Sequence, residues 1–455
     1  MYELVLKNGF LVSSKEVRRG DIVVSGGKIV DIVDRFEGEA EFVHDISGKY
    51  VLPGLIDAHV HFREPGSEEK ENFETGSMAA VAGGVTTVFD MPNTEPKCTT
   101  ADILEEKRKR VKGRSFCHYG FYFGVTDDNF SEMKKVKNIA GFKYFMTHST
   151  GNMGVVEKNG KNGGCVGIGR HGEVTDLSVL ELVFDSVSNI VAVHAEDDLI
   201  IQENASKYFG DIEPISHGAI RSRLAAYKAV KDVLHLAKKY NHRVHICHVS
   251  CREELREILK FKTDKVTFEV TPHHLFLTEE AYEKHRNYVK VNPPLRQEED
   301  KDELWKALKA GHVDIIATDH APHLPFEKER EYLEVPSGVP GIETMLPLLL
   351  DAVNHGQIDL EDVVRMTSYN PSRIFGVKGK GELSVGKDAD FVVVDMKAEK
   401  EVRNENLYTK CGWSPFHGLK LKGWPFMTFI SGKPVYKDGK VDKNFRSGKE
   451  VTFLK

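Results

Sequence analysis

Through the middle of the chain, short apolar runs alternate with longer stretches in which apolar side chains return at helical spacing. The runs are Leu55–His61, Val85–Met91, Phe116–Gly124, Ile139–Phe145, Ile190–His194, Arg243–Val249, Val266–Val270 and Asp314–Thr318. Between them, Thr100–Val111, Ser178–Ser186, Ile220–Tyr240, Arg252–Phe261 and Asp300–Lys309 have the pattern of amphipathic helices. Runs this apolar suit strands buried on both faces. Strand–helix alternation of this length predicts an α/β fold, a parallel (β/α)8 barrel. An open doubly wound sheet is the alternative, but no Gly-x-Gly-x-x-Gly follows the first strand.

The two ends differ from the middle. Tyr2–Leu6, Phe10–Val12, Asp21–Val24 and Lys28–Val33 are short β-type runs split by turn residues, as are Asp390–Val394, Lys422–Ile430 and Pro434–Val441. This predicts a small β-sandwich domain made from residues 1–52 and 378–455 around a catalytic barrel of residues 53–377. The segment 147–175 is rich in Gly and Asn, and a loop of that length in a compact domain is expected to be functional, here as a cover that excludes water. Charge runs such as Glu105–Lys112 and Glu298–Glu303 read as solvated helix faces.

Composition narrows the function classes. A formal net charge of −6 over 455 residues gives no electrostatic reason to expect nucleic acid or an anionic membrane. No signal layout and no spanning apolar window are present, and the six cysteines lack a Cys-x-x-Cys pair, so reduced thiols and a cytoplasmic location are expected.

The chemistry gathers where the strands end. In a barrel of this kind, residues at the C-terminal ends of several strands share one mouth. Asp57, His59, His61 and Arg63 alternate along one strand, which predicts a common face with imidazoles about 6–7 Å apart that can converge on one metal. The fifth strand ends at His194, the sixth at His248 and the eighth at Asp319, followed by His320 and His323. Each alone is weak; together on one rim they predict a metal site. His245 competes with His248, and the rim position favours His248. His273 and His274 read as hydrogen-bonded loop residues. Lys143, ending a strand among Phe142, Tyr144, Phe145 and Met146, must either pair with a carboxylate or lose its proton, and a neutral amine can take up carbon dioxide as a carbamate.

These residues resemble the amidohydrolase superfamily and, within it, the dihydroorotases. The resemblance rests on Pro53-Gly54-Leu55-Ile56-Asp57-Ala58-His59-Val60-His61-Phe62-Arg63-Glu64-Pro65-Gly66 and Ala317-Thr318-Asp319-His320-Ala321-Pro322-His323. Met91-Pro92-Asn93-Thr94, Glu269-Val270-Thr271-Pro272-His273-His274 and Asn292-Pro293-Pro294-Leu295-Arg296 add to it. It implies a distorted (β/α)8 TIM barrel with two Zn2+ per chain. One would be held by His59, His61 and Asp319 and the other by His194 and His248, with Lys143 bridging as N6-carboxylysine. It further implies Asp319 as the proton carrier; Arg63, Asn93 and His323 at the substrate carboxylate; and Asn292, Ser337 and Gly338 at the ring amide. The implied reaction is the reversible closure of N-carbamoyl-L-aspartate to (S)-dihydroorotate in pyrimidine biosynthesis. The partners are a small-molecule substrate and copies of the chain itself, as a homodimer or homotetramer. The rivals are a hydantoinase, dihydropyrimidinase or allantoinase, and a non-catalytic scaffold of the same fold.

Overall fold

The computed structural model describes residues 1–147, 177–208 and 212–454. The Gly-rich segment expected to act as a cover therefore lies, from residue 148 on, outside the described residues.

Two sheets organise the chain. One is assembled from both ends: β1 (Tyr2–Val12), β2 (Val17–Ser25), β3 (Lys28–Val33), β4 (Ala40–Asp45) and β5 (Tyr50–Pro53) come from the first. The barrel strands follow: β6 (Leu55–Val60), β7 (Val85–Asp90), β8 (His118–Gly124), β9 (Gly141–Phe145), β10 (Val191–His194), β11 (Val244–Ile246), β12 (Val266–Val270) and β13 (Ile315–Ile316). The end sheet is completed by β14 (Phe391–Glu401), β15 (Lys420–Ile430), β16 (Lys433–Lys437) and β17 (Lys440–Val441), with β14 antiparallel to β5. A core of Leu6, Ile22, Val24, Val51, Phe391, Val393 and Phe429 ties the two chain ends together.

The eight barrel strands pair in sequence order, each parallel to the last. Their residues are almost all buried on both faces, as the unbroken apolar runs require. Closure between β13 and β6 is made by few groups. Val60 bridges His320, the His61 amide donates to the His320 carbonyl at 2.8 Å, and the Thr318 amide donates to Asp57 Oδ1 at 3.0 Å. The ring is nearly complete, and it is distorted at this seam.

The helices start where short polar side chains can cap them. Thr100 accepts from the Ile103 amide ahead of Ala101–Val111, and Ser222 from the Ala225 amide ahead of Arg223–Tyr240. The long helix turns off at Asn241, whose φ of 51° is left-handed. No helix among the described residues is long and apolar enough to cross a membrane, and Cys98, Cys117, Cys247, Cys251 and Cys411 are free and buried.

Candidate metal centre

Strand register builds the floor of the site. Ala192 of β10 lies beside Lys143 of β9 on one side and His245 of β11 on the other, and His245 lies beside Thr267 of β12. Residues in one row share a face, and so do those two positions further along, so His194 and Glu269 follow above this row. β6 delivers His59. The strand stops at Val60, so His61 and Arg63 are not placed by the alternation that the sequence suggested. Arg63 has a φ of 60°, His248 of 37° and Asp319 of 48°, all left-handed, and these turns at the strand ends aim the three side chains.

The rim borders an open cavity lined by His59, His61, His194, His248 and Asp319 together with Arg63, Phe145, Asn292, Ala321, Ser337 and Gly338. Asp319 Oδ1 lies 2.9 Å from His61 Nε2 and 3.3 Å from His59 Nε2, and ligand atoms of these three residues all fall within 4.8 Å of one another. The His194 and His248 rings are 4.6 Å apart. His248 Nδ1 is buried with no hydrogen-bond partner among the described residues. Two imidazoles and a carboxylate on one point, with a further unsatisfied imidazole nitrogen nearby, make a donor set that suits divalent cations such as zinc.

The remaining expected residues stand behind this ring. Lys143 is fully buried, and its Nζ lies 2.9 Å from Cys247 Sγ. Asn93, expected at the substrate carboxylate, accepts at Oδ1 from His61 Nδ1 at 2.7 Å and so orients that ring. Arg63 donates from Nη2 to His323 Nε2 at 3.0 Å and from Nε to the Pro322 carbonyl at 3.2 Å. Asn292 Oδ1 accepts from His217 Nε2 at 2.9 Å. His245 points into the barrel, bonded to Thr267 Oγ1 at 2.9 Å and Glu269 Oε2 at 3.1 Å, while His248 takes the rim. His274 is tied to Thr271 Oγ1 and to the Pro293 carbonyl.

Sequence reading missed the carboxylates that support the ring. Glu269, buried on β12, faces His59 Nδ1 at 2.5 Å and accepts from the His248 amide at 3.2 Å. Glu196 faces His194 Nε2 at 2.8 Å and is paired with Arg221. The signal was a Glu in the apolar run Val266–Val270 and another two residues past His194. Electrostatics follow from these pairings. Burial alone would lower His59, but Glu269 and Asp319 outweigh it and push its pKa up to about 10. Burial lowers His61 to about 4 and holds His194 and His248 below the ordinary imidazole value. Burial would raise Asp319, yet the imidazoles of His59, His61 and His248 hold it well below the usual carboxylate range. Asp319 is thus kept as an anion.

A family model described as the amidohydrolase family matches residues 50–435, which span the whole barrel and its strand-end histidines. The chain belongs to the amidohydrolase family. This amidohydrolase is 41% identical to a dihydroorotase of Pyrococcus abyssi (strain GE5 / Orsay) over 440 residues, 96% of each chain. It is 38% identical to that of Pyrococcus furiosus, over 96% of this chain and 94% of the relative. Among solved structures, an L-hydantoinase (dihydropyrimidinase) from Arthrobacter aurescens superposes with a TM-score of 0.91 at 29% identity, covering 99% of this chain and 100% of the other. A dihydropyrimidinase from Brevibacillus agri superposes at 0.88 with 26% identity and full coverage of both chains.

Proposed function

We propose that this amidohydrolase is a dihydroorotase, closing N-carbamoyl-L-aspartate to (S)-dihydroorotate and water and reopening it. The observation that carries the reading is Arg63, which lines the same cavity as the histidine–aspartate ring and is bonded to the buried His323. A guanidinium, partly desolvated so that burial lowers its pKa to about 10, still carries its charge at neutral pH and offers a planar fork to a carboxylate. Hydantoin carries no such carboxylate, and the archaeal dihydroorotases are the sequence relatives at 38–41% identity.

His59, His61 and Asp319 would hold one divalent zinc ion and His194 and His248 a second, with Lys143 as the carbamylated bridge. For Lys143, the support is its full burial beside Cys247 Sγ, where an ammonium is costly to desolvate. Bound metals supply polarisation of the scissile carbonyl and a more acidic water. The chain's own residues do the rest. The Asp319 carboxylate takes the proton from the attacking water and returns it to the departing ring nitrogen, a base and then an acid. Arg63 and His323 fix the substrate carboxylate, so the ring amide is presented to Asp319 in one orientation. Asn292 and the Ser337–Gly338 backbone line the cavity beside it.

The test is a comparison of dihydroorotate, hydantoin and allantoin as substrates, with elemental analysis of the same sample. Turnover of dihydroorotate with about two metals per chain is expected. Turnover of hydantoin or allantoin with none of dihydroorotate would overturn the reading, and a metal-free, inactive chain would favour a scaffold.

A further inference from the structure

Two lysines that the mechanism does not use lie buried behind the cavity wall. Lys328, 1% exposed, donates from Nζ to the carbonyls of Lys290 (3.3 Å), Pro336 (3.0 Å) and Gly338 (3.1 Å). Lys290, 3% exposed, donates to the carbonyls of Tyr332 (2.6 Å) and Val335 (2.8 Å). The segment 332–338 is therefore wrapped around two side-chain nitrogens, and Ser337 and Gly338 of that segment line the cavity.

The order of the carbonyls gives this wrapping a consequence. The carbonyls of residues 336 and 338 are turned onto Lys328, while that of residue 337 lies 3.1 Å from His323 Nε2. The same nitrogen accepts from Arg63 Nη2, so the Ser337 carbonyl packs against it without a hydrogen bond. Gly338 is fixed from the other side: at its φ of 141° an added Cβ would stand 2.5 Å from the Ala321 carbonyl oxygen. Trp413 closes the ring of contacts, with its indole 5.9 Å from Lys328 Nζ and its Nε1 donating to the His323 carbonyl at 2.7 Å. Lys328 thus reaches both groups of the proposed carboxylate pocket through one shell of backbone.

Burial and the neighbouring Lys290 press the Lys328 pKa down from the ordinary lysine value. The Lys290 carbonyl also accepts the Gly338 amide at 2.9 Å, so Lys328 fixes the segment chiefly through the Pro336 and Gly338 carbonyls.

We propose that Lys328 is a positioning residue that sets the Ser337–His323–Arg63 wall and thereby makes the enzyme select a substrate bearing a carboxylate. This rests on the dihydroorotate reading above.

The test compares dihydroorotate with its methyl ester, which is neutral at that end, in the metal-loaded full-length enzyme and in Lys328→Gln and Lys328→Arg. The readout is the ratio of kcat/KM for acid over ester. The proposal expects the Gln variant to lose about tenfold of that ratio, mostly through a raised KM for the acid. The Arg variant, which still offers N–H donors to the same carbonyls, should keep the ratio within about threefold of wild type. Equal losses on both substrates in Gln, or a ratio that collapses equally in Arg, would reduce Lys328 to a structural residue and overturn the proposal; should Gln fail to fold, the Arg ratio decides. A wild-type enzyme that accepts the ester or other neutral cyclic amides but not dihydroorotate would overturn the substrate reading and this proposal with it, an outcome distinct from the failure of the lysine alone.

Discussion

Glu269→Gln removes one negative charge from beneath the histidine ring with almost no change in volume, so its effect can be worked out contact by contact. Glu269 Oε1 faces His59 Nδ1 at 2.5 Å and the His248 amide at 3.2 Å, and Oε2 faces His245 Nε2 at 3.1 Å. A glutamine oxygen can keep the first two. Its NH2 then points at His245 Nε2, which can become an acceptor, because Thr267 Oγ1 on the other nitrogen of that ring can donate or accept. One N–H of the amide is used in this way, and the main loss is the charge assistance of two ring hydrogen bonds, about 1–1.5 kcal/mol each. A total of about 2–3 kcal/mol corresponds to roughly 30- to 150-fold in an equilibrium constant. This overlaps the 10–100-fold usual when the partner of a metal-bound histidine is altered. The loss should fall on metal affinity, since His59 is the imidazole whose basicity Glu269 raises. Titration of chelator-stripped protein with zinc against a chromophoric competitor measures it directly. Affinity within threefold of wild type, in a folded variant, would refute the assignment of Glu269 as the support of a metal-binding His59.

Three further outcomes follow from the same geometry. Arg63→Lys replaces a planar fork by a point charge, so the KM for dihydroorotate should rise about 10- to 30-fold with kcat little changed; an unaltered KM would remove Arg63 from the carboxylate site. Asp319→Asn should keep metal in elemental analysis yet lose turnover, whereas loss of metal together with activity would make ligation its main task. Glu343 provides a pH effect away from the ring: burial, with Glu71 adding to it, pushes its carboxyl up from 4.5 to about 8. An acid raised in the fold stabilises it fully below pH 4.5 and loses that contribution as the pH climbs through 8, with a ceiling of roughly 5 kcal/mol. Glu343→Gln should flatten the fall in melting temperature across that window, and an unchanged slope would show the group ionised throughout.

The barrel was legible because a strand buried on both faces leaves little choice of residue. Runs such as Val266–Val270 and Val85–Asp90 are buried from end to end, and the structure gives them nearly the bounds that the pattern suggested. The end sheet was harder to divide. Tyr2–Leu6 and Phe10–Val12 read as two strands split at Lys7-Asn8-Gly9, but β1 runs through with a bulge, because Asn8 takes a φ of 64° and its amide reaches Asp21 Oδ1 at 2.7 Å. The helix Phe73–Ala82 left no amphipathic trace, since eight of its ten residues are buried. Glu269 and Glu196 were hidden for another reason. A carboxylate in an apolar run reveals its role only when its partner is known, and His59 lies 210 positions from Glu269 along the chain.

The ring of ligands was identifiable as a set before its geometry could be, and the left-handed residues explain the gap. Alternation fixes where a side chain points only while the strand lasts, and β6 ends one residue short of His61. Beyond that point Arg63, His248 and Asp319 turn through φ values of 60°, 37° and 48°, conformations that cost a non-glycine residue on the order of 1–3 kcal/mol each. The surrounding contacts over-determine them: Arg63 is held by the Pro322 carbonyl and His323, the His248 amide by Glu269, and Asp319 by two imidazoles. The supports that hold these turns are therefore the same groups that set the charges of the site, so mutating a supporting carboxylate such as Glu269 disturbs the aim of a ligand and its basicity together.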